Sequence, residues 1–390
     1  MRRPSKKSIN LILNSHREPF IRHVFRLRFL VTIAILLAVS TRLSHIWLLD
    51  HANLAGVDVF VSAKKPKIPQ HTVVVSVTED DYKRIFGNCT TAKELQNIID
   101  TLTSYGPAVL AVDVSTAAEE FRDLKPRLTS TRIVWARISS HKAIGPRDQA
   151  RYEWVAGEVL GHGIVDPPYA GATLFPQDSD GVVRDAQRWI PLHNGTVPSM
   201  YWEIIRAYCD SGSQEACRVS ASGRRGDTTG RWLPNRYEFP PVTLGDVLAQ
   251  DAARFSKNSQ AENILRDRIV ILGADFGDEH PTAFGLQQGA ALIATAVETE
   301  LERHADPFRI SGWLQIGCKF ILAIVLAAIH HYFRPLFALS VTLFLLGLIV
   351  TLNFAAYYYE ALRIDFVPFA IGIWIEQLYE GASHAQHHVP

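Results

Sequence analysis

The stretch IVILGADFGDEHPTAF, residues 269–284, joins a short apolar run to a dense group of ionisable side chains. Residues 269–272 are apolar throughout, which is typical of a central strand in a parallel sheet, because helices cover both faces of such a strand. Gly273 and Gly277 are expected to let the backbone turn after the strand, since glycine tolerates conformations that other residues avoid. The stretch therefore predicts a buried strand followed by a polar loop.

Similar apolar runs elsewhere extend this prediction to a whole sheet. Strand patterns at residues 72–77, 108–114 and 132–138 alternate with a helical pattern at 91–105, and residues 119–128 suggest a further short helix. Strands that alternate with helices predict an α/β domain with a mixed or mostly parallel sheet.

The middle of this region has a different pattern. Residues 175–192 carry an Asp-Gly pair followed by a rough alternation of apolar and polar residues, which predicts a β-hairpin. Ser199 is expected to cap the helix that follows.

Ionisable side chains follow the predicted strands at their outgoing ends. The carboxyl ends of parallel strands form the edge at which open α/β sheets bind ligands. The candidate ligand-binding rim consists of Asp80, Asp81, Asp113, Asp275, Asp278 and His280. Each acid taken singly has a simpler role, which is to cap a helix or stabilise a turn.

The loop after residue 272 also contains the residue types of catalytic and metal sites. A hydrolase needs a nucleophile or a water-activating metal whose partners converge, and the sequence contains no Gly-x-Ser-x-Gly, no His-Glu-x-x-His and no phosphate-binding loop. We therefore expect no catalytic residue, no metal site and no cofactor. A hydrolase that uses Asp278 and His280 remains an alternative.

Charge and hydropathy point to a membrane protein. The net charge of +1 gives no indication of nucleic-acid binding, but residues 1–28 carry eight Lys and Arg against one Glu. Residues 29–49 form an apolar stretch long enough to cross a bilayer core of ~30 Å, with a cleaved signal peptide as the alternative. Basic residues that flank a first span stay in the cytoplasm, so residues 50–311 are expected outside it.

Three further apolar stretches follow the outer region. They are expected to span the membrane at residues 312–332, 335–357 and 362–379, although a buried helix of a soluble domain is the alternative for the last. Four spans would place the tail, residues 380–390, in the cytoplasm. Lys319 and Glu376 would be intramembrane charges, which suggest a function or a pairing partner.

Two of the four cysteines lie close together in the outer region. Cys209 and Cys217 are eight positions apart, and an oxidising compartment would allow a disulfide between them. Two free thiols are the alternative, because spacing does not determine connectivity.

The order of several landmarks resembles a known sensor family. The segments are DSDGVVRDAQRWIP at 178–191, PSMYWEIIRAY at 198–208, LRDRIVILGADFGDEHPTAFG at 265–285 and GAALIATAVETEL at 289–301. They resemble the CHASE domain of type 2, an extracellular sensor of bacterial receptors, over roughly residues 50–309. The three apolar stretches that follow are similar to the usual layout of that family, whereas its tryptophan-proline motif after the first strand is replaced by IFGNCTTAKEL at 85–95.

The resemblance implies an extracytoplasmic sensor that controls a cytoplasmic kinase or cyclase. The eleven residues 380–390 are too few for such an output domain. We therefore expect a sensor without enzymatic activity that sits in the lipid bilayer and signals through a separate protein, a kinase or cyclase among the candidates, with a homodimer as a further possibility. The alternative is a membrane scaffold or assembly factor whose outer domain docks a protein partner.

Overall fold

A computed structural model describes most of the region between the first and second apolar stretches. The described residues are chiefly 61–87, 91–116, 130–137, 168–192, 195–222, 235–252 and 260–302, with short pieces between them and scattered positions at 54–59 and 317–352. The chain divides into two compact units, Asp58–Pro307 and a second unit made of Met1–Val57 with Phe308–Pro390. The strands and helices named below all belong to Asp58–Pro307.

The centre of this unit is a parallel sheet of six strands. Its strands in chain order are β1 (Thr72–Val77), β2 (Val109–Asp113), β3 (Arg132–Arg137), β6 (Ala170–Ala172), β11 (Val242–Thr243) and β12 (Ile269–Ala274). Across the sheet they lie in the order β11-β1-β12-β2-β3-β6. The predicted α/β architecture with a mostly parallel sheet is thus confirmed.

Seven helices and a 3-10 turn are described around the sheet. The helices are α1 (Glu79–Phe86), α2 (Ala92–Ser104), α3 (Met200–Asp210), α4 (Gln214–Ser222), α5 (Leu244–Ala252), α6 (Gln260–Leu265) and α7 (Gly289–Glu302). Helix α2 begins with a capping box in which Thr91 and Glu94 exchange hydrogen bonds. Of the short helix predicted at 119–128, only a 3-10 turn at Glu119–Phe121 is described.

Alternating side chains of the strands separate two apolar layers. On one face Val74, Ala111 and Ile271 pack with residues of α3 and α7, and on the other Val75, Leu110 and other strand residues pack with α1, α2 and α5. Because both faces of the central strands are covered, apolar residues occupy most of their positions rather than every second one. This arrangement explains the run at residues 269–272.

Three smaller sheets accompany the central one. Strands β4 (Ser140–Ile144), β5 (Arg151–Glu153), β8 (Trp189–Leu192) and β9 (Gly195–Pro198) form a four-stranded sheet, β7 (Asp185–Gln187) pairs with β10 (Gly230–Trp232), and β13 (Glu279–Thr282) pairs with β14 (Gly285–Gln288). The strand pairs of these sheets are antiparallel except for the parallel pair β5–β8. The hairpin predicted at 175–192 is misplaced, because the strand after the Asp-Gly turn pairs with distant β10 and the local hairpin is β8–β9.

Two local expectations from the sequence are wrong in detail. Ser199 occupies the N-cap position of α3, but its hydroxyl donates to the carbonyl of Arg188 at 3.2 Å instead of capping the helix. Gly273 does not turn the chain, since β12 continues to Ala274, whereas Gly277 does have a positive φ of 75°. The residues expected to form a loop after β12 include the β13–β14 ribbon, and Pro281 lies within it.

Several predicted membrane features lie outside the described residues. These are the leader 1–28, the spans 29–49 and 362–379, the tail 380–390, Lys319 and Glu376. Only scattered positions of the spans 312–332 and 335–357 are described, and they are helical. In the part of the chain that the structure describes, no helix is both long and apolar enough to cross a membrane.

Candidate functional site

The candidate site lies where β2 and β12 end. Asp113 is the last residue of β2 and pairs in register with Gly273 of β12. A Cβ atom added to Gly273 would lie 2.6 Å from Cβ of Ala290 and 3.5 Å from Oδ2 of Asp113. Glycine is therefore required here for close packing, and it brings the start of α7 against the strand ends beside Asp113.

An ion pair between Asp278 and His280 forms the second part of the site. Nε2 of His280 lies 3.0 Å from Oδ1 of Asp278, and the carboxylate is about half exposed. The hydrogen bond between them lowers the pKa of Asp278 and raises the pKa of His280. Each partner thus favours the charged form of the other at neutral pH.

Asp113 shares an electrostatic environment with this pair. The pKa of its carboxyl is raised to about 7, chiefly by burial and also by the negative charge of Asp278, while His280 acts in the opposite direction. Although part of Asp113 remains accessible, dense protein surroundings disfavour its ionised form. Asp113, Asp278 and His280 therefore constitute one group of coupled charges, which we call the acidic cleft.

The first residue of α7 determines where the Asp278 carboxylate can lie. The amide of Gly289 donates to the backbone carbonyl of Asp278 at 2.9 Å, and a Cβ atom at Gly289 would clash with Oδ2 of Asp278. The carboxylate consequently rests against the N-terminus of the helix, where the helix dipole favours a negative charge.

The ribbon formed by β13 and β14 carries His280 and a second polar side chain. Gln287 is the direct cross-strand partner of His280, so the two side chains share one face of the ribbon. Oε1 of Gln287 is buried and has no hydrogen-bond partner. The ring of Phe175 contacts His280 edge-on with centroids 6.4 Å apart. The acidic cleft is thus bordered by an unsatisfied acceptor and an aromatic ring.

The other predicted rim residues do not join the acidic cleft. Asp81 is buried and accepts hydrogen bonds from Arg84 at 2.6 Å and from the amide of Gly245 at 3.1 Å, so it connects α1 to α5. Asp275 lies near Asp81, and burial raises the pKa of its carboxyl. Asp80 is exposed in the first turn of α1. The predicted rim therefore separates into a cleft and a group of structural or solvated acids.

An arginine that the sequence analysis did not single out organises the neighbouring turn. Arg184 is 2% exposed and forms a bidentate pair with Asp58, with distances of 2.7 and 2.6 Å. Its guanidinium also donates to Asp178 at 2.9 Å and to Asp180 at 2.7 Å. Burial opposes the charge, but the hydrogen bonds that Arg184 donates to the three carboxylates raise the pKa of its guanidinium. The spacing of two acids four and six positions before an arginine was the available signal.

This arginine turn is attached to the ribbon of the cleft. The amide of Val183 donates to the carbonyl of Pro281 at 2.8 Å, and Val183 bridges to Thr282 in parallel orientation. The position of β13, and with it His280, therefore depends on the turn that Arg184 holds together.

Carboxylates hold the C-terminal part of helix α7 in place. Oε1 of Glu298 accepts from the amides of His71 and Thr72 at 2.7 and 2.6 Å. One turn further on, Glu302 pairs with Lys67 at 2.6 Å. The sequence shows Glu298 and Glu302 as charged residues in a mostly apolar helix, but it does not identify the residues that they contact. These contacts attach the C-terminal part of α7 to the segment that leads into β1.

A third carboxylate of α7 binds an arginine of the small sheet region. Glu300 forms a buried ion pair with Arg188, whose Nε donates at 3.0 Å. The guanidinium of Arg188 also lies over the ring of Trp202 in α3, 4.4 Å from its centroid. This pair connects α7 to α3 through one cation.

The cysteine pair lies away from the cleft. The structure joins Cys209 of α3 to Cys217 of α4 in a disulfide, with Cα atoms 4.6 Å apart. Its formation in the protein stays a prediction for chemical mapping. Among the described residues, no group of three or more His, Cys, Asp or Glu side chains is arranged to hold a metal ion.

Comparison with known proteins gives one match. The family model described as the CHASE2 domain matches residues 30–329, which include every strand and helix named above. Comparison with the curated proteins and with the solved structures yields no match.

Proposed function

Because the chain belongs to the CHASE2 domain family, a family of extracytoplasmic sensor domains, we propose that it is a membrane-anchored receptor subunit that signals to a separate protein. The acidic cleft is the sensing site in this proposal. Helix α7 is the element that connects the site to the membrane.

The observation that carries the proposal is the shared position of the cleft and the start of α7. Asp278 rests against Gly289, so a ligand that moves or neutralises this carboxylate acts directly on the first turn of the helix. Glu302 ends the same helix, and the chain then continues toward the predicted span at 312–332. A helix that begins at the acidic cleft and precedes the predicted span in the sequence is a candidate route for a signal.

Membrane anchoring is supported by the second unit of the chain. Its described helical positions expose large apolar side chains, namely Phe320, Ile321, Val325, Phe337, Leu343, Phe344, Leu348 and Leu352. Exposure of so many large apolar side chains to water is unfavourable in free energy, whereas their contact with the hydrocarbon core of a bilayer is favourable. The family match begins inside the predicted span 29–49 and ends inside the span 312–332, and both spans are part of the proposal.

In this proposal the protein crosses the inner membrane of a bacterium four times. Its large outer unit lies on the side of that membrane away from the cytoplasm. The basic residues of the leader favour this orientation. The outer unit has a binding role and no enzymatic one in this proposal. The Asp278–His280 pair has the form of an acid–base pair, but no hydroxyl or thiol among the described residues hydrogen-bonds to His280. The partner, a kinase or cyclase, is then a different polypeptide.

The proposal is tested by purifying the full chain with its partners from native membranes and measuring the kinase or cyclase activity that co-purifies. The site variant combines Asp113→Asn with Asp278→Asn. We expect it to retain the partner but to change the partner's activity several-fold, because two of the cleft's charges are removed. Asp80→Asn is the matched control, since Asp80 is an exposed acid outside the cleft.

Two results would contradict sensing. Partner activity that is identical in the site variant and in Asp80→Asn would remove the cleft from the signalling route. A captured partner without kinase or cyclase activity, drawn instead from a transport or secretion assembly, would identify the protein as a scaffold.

A further inference from the structure

We propose that the acidic cleft, together with Gln287, binds a small organic cation that offers several N–H donors, such as a primary amine or a guanidinium group. The inference names the ligand class of the sensing site and rests on the function proposed above.

The hydrogen-bonding groups of the cleft are mostly acceptors. Within the described part of the chain, no hydrogen bond reaches the carboxylate of Asp113. Oε1 of Gln287 is buried without a partner, on the same face of the ribbon as His280. A buried acceptor without a donor is unfavourable in a folded protein, so a ligand that supplies N–H groups would satisfy Oε1 of Gln287 and could also reach the accessible carboxylate of Asp113.

The charge of the cleft is also unbalanced. Asp113 and Asp278 provide two carboxyl groups, and the nearby cation, His280, already donates its Nε2 proton to Asp278. Burial and Asp278 together raise the pKa of Asp113, which indicates that no strong cationic partner stabilises its ionised form. A bound ammonium or guanidinium would supply this partner.

Asp278 is placed so that a ligand can reach it from solvent. Its side chain is 53% exposed, whereas Asp113 lies deeper at the end of β2. A cation entering the cleft would therefore meet the exposed carboxylate first and the enclosed one second. The edge of Phe175 beside His280 gives the entrance an apolar wall.

An anion is a poorer ligand for this cleft. The N-terminus of α7 would attract an anion, but the carboxylate of Asp278 already rests against Gly289 at that position. A second negative charge there would be repelled by Asp278 and Asp113. A divalent metal is also disfavoured, because the described residues include no cluster of three potential ligands.

The test measures thermal unfolding of the purified full chain at pH 8 in the presence of methylguanidinium chloride or ethylamine hydrochloride. Sodium acetate, glycerol and calcium chloride at matched ionic strength are the comparison solutes. We expect a saturable rise in melting temperature with the two organic cations. Asp113→Asn should weaken their apparent affinity by at least about 10-fold, because it removes the enclosed negative charge.

Glu279→Gln is the matched control for that variant. Glu279 is exposed and occupies the face of the ribbon opposite to His280. Its substitution should leave the affinity unchanged. If Asp113→Asn does not fold, Gln287→Ala takes its place, because it deletes the unsatisfied acceptor, and a reduced affinity is again expected.

Saturable stabilisation by acetate, glycerol or calcium in place of the organic cations would overturn the ligand class. Equal affinity of the cation for the cleft variant and for Glu279→Gln would overturn the site. The partner measurement uses no ligand, so the two proposals fail separately. If partner activity changes but no cation binds, the sensing proposal stands and the proposed ligand class is wrong. If a cation binds but partner activity does not change, the ligand class stands and the sensing proposal is wrong.

Discussion

The carboxylate of Asp278 lies against Gly289, the first residue of α7, so closely that a methyl group at position 289 would clash with it. The same glycine donates its amide proton to the backbone carbonyl of Asp278 at 2.9 Å. One end of the longest described helix in the outer unit is thus in direct contact with the acidic cleft. The helix and the cleft are expected to respond together to substitutions at this contact.

Gly289→Ala should destabilise the protein although alanine is the better helix former. The added methyl group must displace the Asp278 carboxylate, at a cost of about 1–3 kcal/mol in the free energy of unfolding. Chemical denaturation of the purified full chain measures this cost. Gly347→Ala is the control, because a Cβ atom there meets no other atom within 4 Å. Equal effects of the two substitutions would show that the contact at Gly289 is easily relieved.

Asp113 should make the stability of the protein depend on pH between about 4 and 7. Its folded-state pKa of about 7 exceeds the ordinary value of 3.8, so the folded protein keeps a proton that the unfolded chain has released. The stability due to this proton is lost as the pH rises through 7. Asp113→Asn imitates the protonated form at every pH, and its melting temperature relative to wild type should therefore rise from pH 5 to pH 8.

The comparison with wild type isolates Asp113 from its neighbours. Asp278 and His280, whose charges face Asp113, titrate in both proteins and contribute similarly to both melting curves. A difference in melting temperature that is the same at pH 5 and pH 8 would mean that Asp113 is ionised without cost.

Arg184 should be among the least replaceable residues of the outer unit. Replacing it with methionine would leave Asp58, Asp178 and Asp180 next to one another without their shared cation. Removal of one partner from a buried ion pair costs about 3–5 kcal/mol, and we expect a loss of this size in the free energy of unfolding. Lys83→Met removes an exposed pair with Glu79 and should have no measurable effect. Similar stability of the two variants would contradict the central role of Arg184.

The disulfide between Cys209 and Cys217 should stabilise the outer unit by roughly 2–3 kcal/mol, because it closes a short loop between α3 and α4. The paired substitution to serine should lower the free energy of unfolding by that amount under oxidising conditions. Peptide mapping without reduction identifies the bond directly. Two free thiols in the mature protein would remove the prediction.

The four predicted spans give a definite topology for reporter fusions. Fusions after Asp50 and after Arg309 should report an extracytoplasmic location, and fusions after Arg334 and Pro390 a cytoplasmic one. The basic leader is the reason, since Lys and Arg next to a first span remain on the cytoplasmic side. An extracytoplasmic signal at Pro390 would mean that residues 362–379 do not cross the membrane.

Local patterns of the sequence were sufficient to predict the parallel sheet and several helices. A strand covered on both faces must be apolar at every position, and residues 269–272 satisfy this condition without reference to any other part of the chain. The helix at residues 92–104 likewise shows its buried face and its Thr91 cap in its own sequence. These features depend on near neighbours along the chain, which is why the sequence alone determined them.

Tertiary structure decided which of the predicted rim residues act together. All of these acids follow strands, but Asp81 pairs with Arg84 and the amide of Gly245, whereas Asp113 faces Asp278 and His280. Asp58, the bidentate partner of Arg184, lies 126 positions away, a separation that no local pattern records. Contacts between distant segments depend on how the strands are ordered in the sheet and where the helices pack. The sequence therefore determined the strands and the candidate acids, and only the packing of distant segments selected the charges that form the cleft.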